Sequence, residues 1–312
     1  MKKLLILFLC LVLVTLSGCS VPEWLSPYLD VFREDTSSVA EPEPVQGKLF
    51  DYCYNNLTDT QKDMYNKILT GVYYMEEERI YLTDDDTDIS ENVNIAYGAV
   101  SVDHPELFWL SGQYHLLTLG GERFYIKVKY DVDQTTRDAQ AAALKKRVDE
   151  IMAATQDMSP PEKERYFHDY LCDNVTYTND GVNTRYTSFG ALVNGKAVCE
   201  GYSRAFQLLC KTAGINCSLI KGRAEDEAHM WNVVEVFGEW YEVDVTWDDA
   251  DDKGPFYHYF NITTTQMQKT HKRYNEITAD ERGIDLDGLK YNLNPPQCTA
   301  TEYGINNEEK NQ

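Results

Sequence analysis

Gly195-Lys196-Ala197-Val198-Cys199-Glu200-Gly201-Tyr202 is a glycine-containing loop that runs into apolar residues at helical spacing, namely Phe206, Leu209, Cys210 and Ala213. The pattern predicts a helix that opens at Cys199 and runs to about Ala213, with Gly214 as the left-handed residue after its C-terminus. A thiol in that position meets the positive end of the helix dipole, which favours thiolate over thiol.

Downstream, His229 to Trp247 is rich in β-branched and aromatic residues around Gly238 and predicts a β-hairpin. A two- or four-residue loop puts His229 and Asp244 on one face of the sheet, whereas a three-residue loop would separate them. With Phe237 and Gly238 as the turn, Asp244 falls opposite Trp231 and diagonal to His229, about 7–8 Å away at the backbone. Taken singly, a buried cysteine is a small hydrophobe and a histidine at a strand start is a satisfied polar group. The combination differs: Asp244 stands between Val243 and Val245, where an unpartnered carboxylate would be costly and His229 removes the cost. Cys199, His229 and Asp244 therefore form a candidate nucleophile, base and orienting carboxylate for acyl transfer.

The order of these motifs, with Leu208-Leu209, Ala213-Gly214-Ile215, His229-Met230-Trp231-Asn232 and Trp240 to Thr246, resembles the transglutaminase-like core of the papain-type fold. The resemblance spans roughly Tyr166 to Trp247. It implies an α+β fold with the nucleophile helix packed on an antiparallel sheet. It also implies Cys199 as nucleophile, His229 as base and then acid, and Asp244 as the residue that orients the imidazole. It leaves the reaction open among peptidase, amidase, transglutaminase and N-glycanase chemistry. Papain-like proteases place a glutamine oxyanion donor six residues before the cysteine, where this chain has Val193; Asn194, Tyr186 and Tyr177 are the candidates here.

The N-terminus is a secretory signal: Met1-Lys2-Lys3, an apolar run from Leu4 to Val14, then Leu16-Ser17-Gly18-Cys19. The last four residues resemble a bacterial lipobox, which implies cleavage before Cys19, acylation of its thiol and an extracytoplasmic, membrane-anchored protein. The expected organisation is a signal peptide over 1–18, a lipidated extended linker over 19–47 and a smaller α+β module over 48–155. A catalytic domain over 156–275 and a C-terminal extension with a polar tail over 276–312 complete it. In the first module, Thr58 caps a helix, Asn92 to Val102 forms a second one ended near His104-Pro105, and a strand, Gly120-Gly121 turn and strand precede a helix over 135–154. Ser159-Pro160-Pro161-Glu162 starts a helix through Leu171 on which His168 is expected at the surface or near a cap. Phe256 to Phe260 is expected to be a packed strand or covering segment.

The chain carries 29 Lys+Arg against 51 Asp+Glu, a net charge of −22 that argues against nucleic acid and favours cationic or amine-bearing substrates. The acidic runs Asp84-Asp85-Asp86 with Asp88, and Asp248-Asp249 with Asp251-Asp252, lack the glycine and distal glutamate of an EF-hand and are expected to be solvated loops. The cysteines lack zinc-site spacing, and no metal or cofactor is expected. The expectation is a surface thiol enzyme acting on protein or peptide amides through a thioester, and the alternative is a catalytically silent binding module on the same fold.

Overall fold

Thr58 starts the first long helix because its hydroxyl accepts from the Gln61 amide while the Gln61 side chain returns to the Thr58 amide, a reciprocal cap. In chain order, the first part of the fold contains α1 (Tyr52–Asn55), α2 (Asp59–Tyr73), β1 (Ile80–Thr83), α3 (Ile89–Asp103), β2 (Leu110–Leu119), β3 (Arg123–Tyr130) and α4 (Gln134–Ala154). The second contains α5 (Pro160–Asn174), β4 (Thr176–Tyr177), α6 (Ser188–Leu192), β5 (Lys196–Ala197) and α7 (Cys199–Thr212). It continues through β6 (Cys217–Ala224), β7 (Glu227–Val236), β8 (Glu239–Val243), α8 (Val245–Asp248), α9 (Thr264–Met267) and β9 (His271–Arg273). This computed structural model describes residues 51–84, 87–179, 183–225, 227–249, 255–276 and 294–305, all within one compact unit. The signal, Cys19, the spacer, Asp85, Asp86, Asp251, Asp252 and the tail from Asn306 lie outside the described residues. Among the described residues no helix is long and apolar enough to cross a membrane.

The architecture is α+β with two antiparallel sheets, ordered β1-β3-β2 and β8-β7-β6-β9, and a short parallel pair β4-β5. Helix α7 packs on β6 and β7, with α5 and α6 against it. The face of the large sheet away from α7 buries Trp231, Val233, Ile220, Ile262 and Met267. The first sheet and its helices dock on this core through polar anchors as well as apolar ones. Arg204 reaches the Ser101 carbonyl at 2.6 Å, Gln207 the Val102 carbonyl at 2.9 Å, and Ser188 the Pro105 carbonyl at 2.7 Å.

The hairpin forms as its turn residues require: Phe237 (φ 52°) and Gly238 (φ 88°) supply the two left-handed positions of a two-residue turn, and the ladder pairs Asn232 with Val243. Two expectations are corrected. His168 is fully buried, because α5 turns it inward onto Asp248 rather than outward to solvent. Asp248 is likewise buried, since α8 carries it under the segment 255–260, whose Tyr259 amide it accepts at 3.0 Å. That segment covers the core without forming a strand: Tyr257 and Phe260 are buried and His258 is exposed. Residues 294–305 also pack on the core, with Cys298 and Thr264 exchanging hydrogen bonds.

Candidate active site

The loop that leads into Cys199 is held from both sides by backbone pairing. Thr176 and Tyr177 pair with Lys196 and Ala197 in parallel, the Thr178 amide donates to the Ala197 carbonyl, and the Val198 amide donates to the Arg185 carbonyl. Gly195 takes φ +64°, a conformation that a side chain would strain. Val198 is extended and makes no side-chain cap, so α7 begins at Cys199 with its first-turn amides directed at the loop. Cys199 is partly exposed, whereas Cys53, Cys172, Cys210, Cys217 and Cys298 are buried free thiols.

His229 and Asp244 meet as the hairpin register requires. His229 Nε2 donates to Asp244 Oδ2 at 2.7 Å, and the Cys199 thiol lies within electrostatic reach of the imidazole. With Nε2 committed to the carboxylate, Nδ1 is the nitrogen that serves the sulfur. Asp244 is fully buried and caps α8, its Oδ1 accepting from the Thr246 and Trp247 amides at 3.0 and 3.2 Å. Burial alone would raise its pKa, but His229 and His271 override that and hold it well below the usual carboxylate range. Burial would depress His229, yet the Asp244 carboxylate and the neighbouring Cys199 bring it up to about 10. At neutral pH the pair is therefore an imidazolium on a carboxylate, and positive charge faces the sulfur.

Sequence reasoning missed His271. Its Nε2 lies 3.0 Å from the same Oδ2 of Asp244, and its ring packs against Trp247 with centroids 4.6 Å apart. The signal for it was weak: His271 and Arg273 are buried with Lys272 exposed between them, an alternation of polar residues that a hydrophobic pattern does not register. His229, Asp244 and His271 bring three ligand atoms within 4.8 Å of one another, a two-histidine, one-carboxylate set. Contacts of 2.7 and 3.0 Å are N–H···O lengths, and we assign them as hydrogen bonds rather than ligation.

Of the three candidate oxyanion donors, Tyr177 lies in the electrostatic field of Cys199 and stacks on Tyr202 with centroids 6.5 Å apart. Tyr186 accepts from the Arg185 guanidinium at 2.8 Å, and Asn194 donates to Thr184 at 3.3 Å. A cleft of about 490 Å³ lies between α3, β2 and the core; Glu200 and Met230, the chain neighbours of Cys199 and His229, line it together with Tyr186, Arg204 and Lys221.

Comparison with known proteins agrees with this geometry in part of the chain. Residues 145–245 match the profile of the transglutaminase-like superfamily. The kyphoscoliosis peptidase of Mus musculus is 24% identical over 102 residues, covering 28% of this chain and 15% of that protein, and the Homo sapiens protein matches with the same figures. This chain thus spans a small part of the curated relatives it matches. The crystal structure of a TGase superposes with a TM-score of 0.33 and 18% identity over 57% of this chain and 53% of that one. A candidate cysteine protease from Cytophaga hutchinsonii gives 0.30 and 13% over 43% and 61%. The stretch that matches the transglutaminase-like superfamily profile contains the helix that opens at Cys199, the hairpin and Asp244.

Proposed function

We propose that the protein is a thiol enzyme of the transglutaminase-like type that transfers acyl groups from protein or peptide amides through Cys199, His229 and Asp244. The observation that carries this is the 2.7 Å bond from His229 to a buried carboxylate, made by a ring that also reaches a cysteine at a helix N-terminus. The Cys199 sulfur attacks the amide carbonyl and pushes its electron pair onto the oxygen. The Cys199 amide and the Tyr177 hydroxyl supply the donors for that oxyanion. His229 gives its proton to the departing amine, the C–N bond breaks and a thioester remains. Water or a primary amine then attacks the thioester as His229 takes the incoming proton, and the thiolate leaves. Asp244 holds the imidazole in place through both steps.

The lipobox at Cys19 supports a lipid-anchored protein on the extracytoplasmic face of the membrane, with protein or peptide substrates there. The test is alkylation of the full chain in detergent by iodoacetamide near pH ~6, where an ordinary thiol reacts slowly. Fast labelling of Cys199 that His229→Ala abolishes is expected. Labelling no faster than the buried cysteines or an ordinary thiol would sink the mechanism.

A further inference from the structure

We propose that His271 is a positioning residue for this reaction, a second imidazole that shares Asp244 with His229, fixes the carboxylate and sets how tightly it holds the His229 proton. The inference rests on the functional assignment above. Asp244 accepts four N–H groups, two backbone amides on Oδ1 and two imidazoles on Oδ2 at 2.7 and 3.0 Å, so every lone-pair direction is occupied and the side chain cannot turn.

The donor on His271 that faces Asp244 follows from its partner. Nε2 faces an acceptor and must carry a hydrogen, while Nδ1 lies 2.8 Å from Thr270 Oγ1, which can donate to it. A ring with hydrogen on Nε2 thus satisfies both sides. This second N–H donor on Oδ2 competes with His229 for the same oxygen and draws off part of its negative charge. Asp244 therefore pulls less strongly on the His229 proton than it would alone, which keeps that proton available for the departing amine.

The strand that carries His271 is built to come close. Gly222 pairs with His229 on one side and Arg273 on the other, and a Cβ at Gly222 would run into the Lys272 carbonyl and the Trp231 ring. Arg273 anchors the strand by a buried 2.7 Å bond to Glu242. Other titratable groups face the cluster from the elements around it. These are Asp248 on α8, His168 bonded to it from α5, Tyr177, Tyr259, Tyr274 and Glu225. None of them is altered by the substitutions below.

The test uses the full chain in detergent, with His229→Ala as reference. The alkylation rate of Cys199 is followed from pH ~5 to ~11, and the ring nitrogens of His229 are titrated by ¹⁵N NMR over the same range. His271→Phe fills the space without a donor, and His271→Gln restores an N–H. In His271→Phe the His229 transition is expected to rise by about half a pH unit or more, as loss of one donor to a shared carboxylate requires, and His271→Gln is expected to return toward the wild type. A His271→Phe transition at the wild-type pH, even with a lowered Tm, would show that His271 only packs, and a shift that His271→Gln does not reverse would also overturn the proposal. If wild-type Cys199 labels no faster than in His229→Ala, the enzyme assignment fails and the role of His271 fails with it.

Discussion

Asp244 caps a helix, binds two imidazoles and stays charged in the core, and each task depends on the carboxylate being complete. Asp244→Asn keeps the shape but replaces one oxygen by an amide that donates. One face of the side chain must then present N–H either to the Thr246 and Trp247 amides or to the two histidines, and the His229 ring loses its enforced tautomer. The expected outcome is a fall in turnover of about 10²–10⁴-fold with substrate binding little changed, measured as kcat and KM on any amide substrate that the wild type cleaves. At Tyr177 the side chain is half-exposed beside the thiol and is not needed to close the core. Tyr177→Phe should therefore lower kcat by about 10-fold or more with no loss of Tm, the signature of a donor used in the transition state. An unchanged kcat would leave the oxyanion to backbone amides alone.

At the level of elements, α5 carries a buried polar seam into the core. Glu164 is fully buried, its Oε2 accepts from Asn261 at 3.1 Å, and Oε1 has no partner among the described residues. Burial pushes its pKa up to about 8, so the folded protein holds a proton there that the unfolded chain releases near the ordinary glutamate value of 4.5. On the same helix burial would depress His168, but its bonds to Asp169 and Asp248 raise it to about 9. Both groups bind more protons folded than unfolded, so their contribution is complete at low pH and is lost as pH rises, through about 8 for Glu164 and about 9 for His168. Glu164→Gln keeps the neutral form at all pH. It should flatten the decline of Tm between pH ~5 and ~8 and raise Tm by several degrees at pH ~8.5, by a linkage of about 1.4 kcal/mol per pKa unit. Equal Tm profiles for both proteins would exclude an uptake of protons at Glu164. The sequence shows the start of this helix but not its inner face. Ser159-Pro160-Pro161-Glu162 is a local cap that any chain with those residues can form, and the same locality made Thr58, the Cys199 helix and the Phe237-Gly238 turn legible. Glu164, His168, Asp248 and His271 are buried because partners 27 to 97 residues away satisfy them. Nothing in a local window records a partner at that distance, so His168 and Asp248 read as surface and Glu164 and His271 give no signal at all.

At the scale of the whole molecule, charge and burial are arranged in opposition. The chain bears −22 overall, yet the junction between the first sheet's helices and the core is closed by a buried cation: Lys211 meets Asp51 at 3.0 Å and the Asp103 carbonyl. Lys211→Met would leave the part-buried Asp51 carboxylate and the buried Asp103 carbonyl without that cation and should cost about 1–3 kcal/mol in chemical denaturation, with a single transition if both parts unfold together. The surface field acts at longer range. The acidic excess of the whole chain should attract cationic acyl acceptors and repel anionic ones, an effect that falls off over a Debye length of about 8 Å at physiological salt. With lysine-bearing and glutamate-bearing peptides of equal length as acceptors or substrates, KM for the lysine peptide should rise between ~20 and ~300 mM NaCl while that for the glutamate peptide falls. Turnover at saturation should stay constant, because screening changes encounter and not the chemistry at Cys199. KM values that do not move with salt would mean that selection is made by contacts inside the cleft, at Glu200, Arg204 and Lys221, and not by the acidic surface.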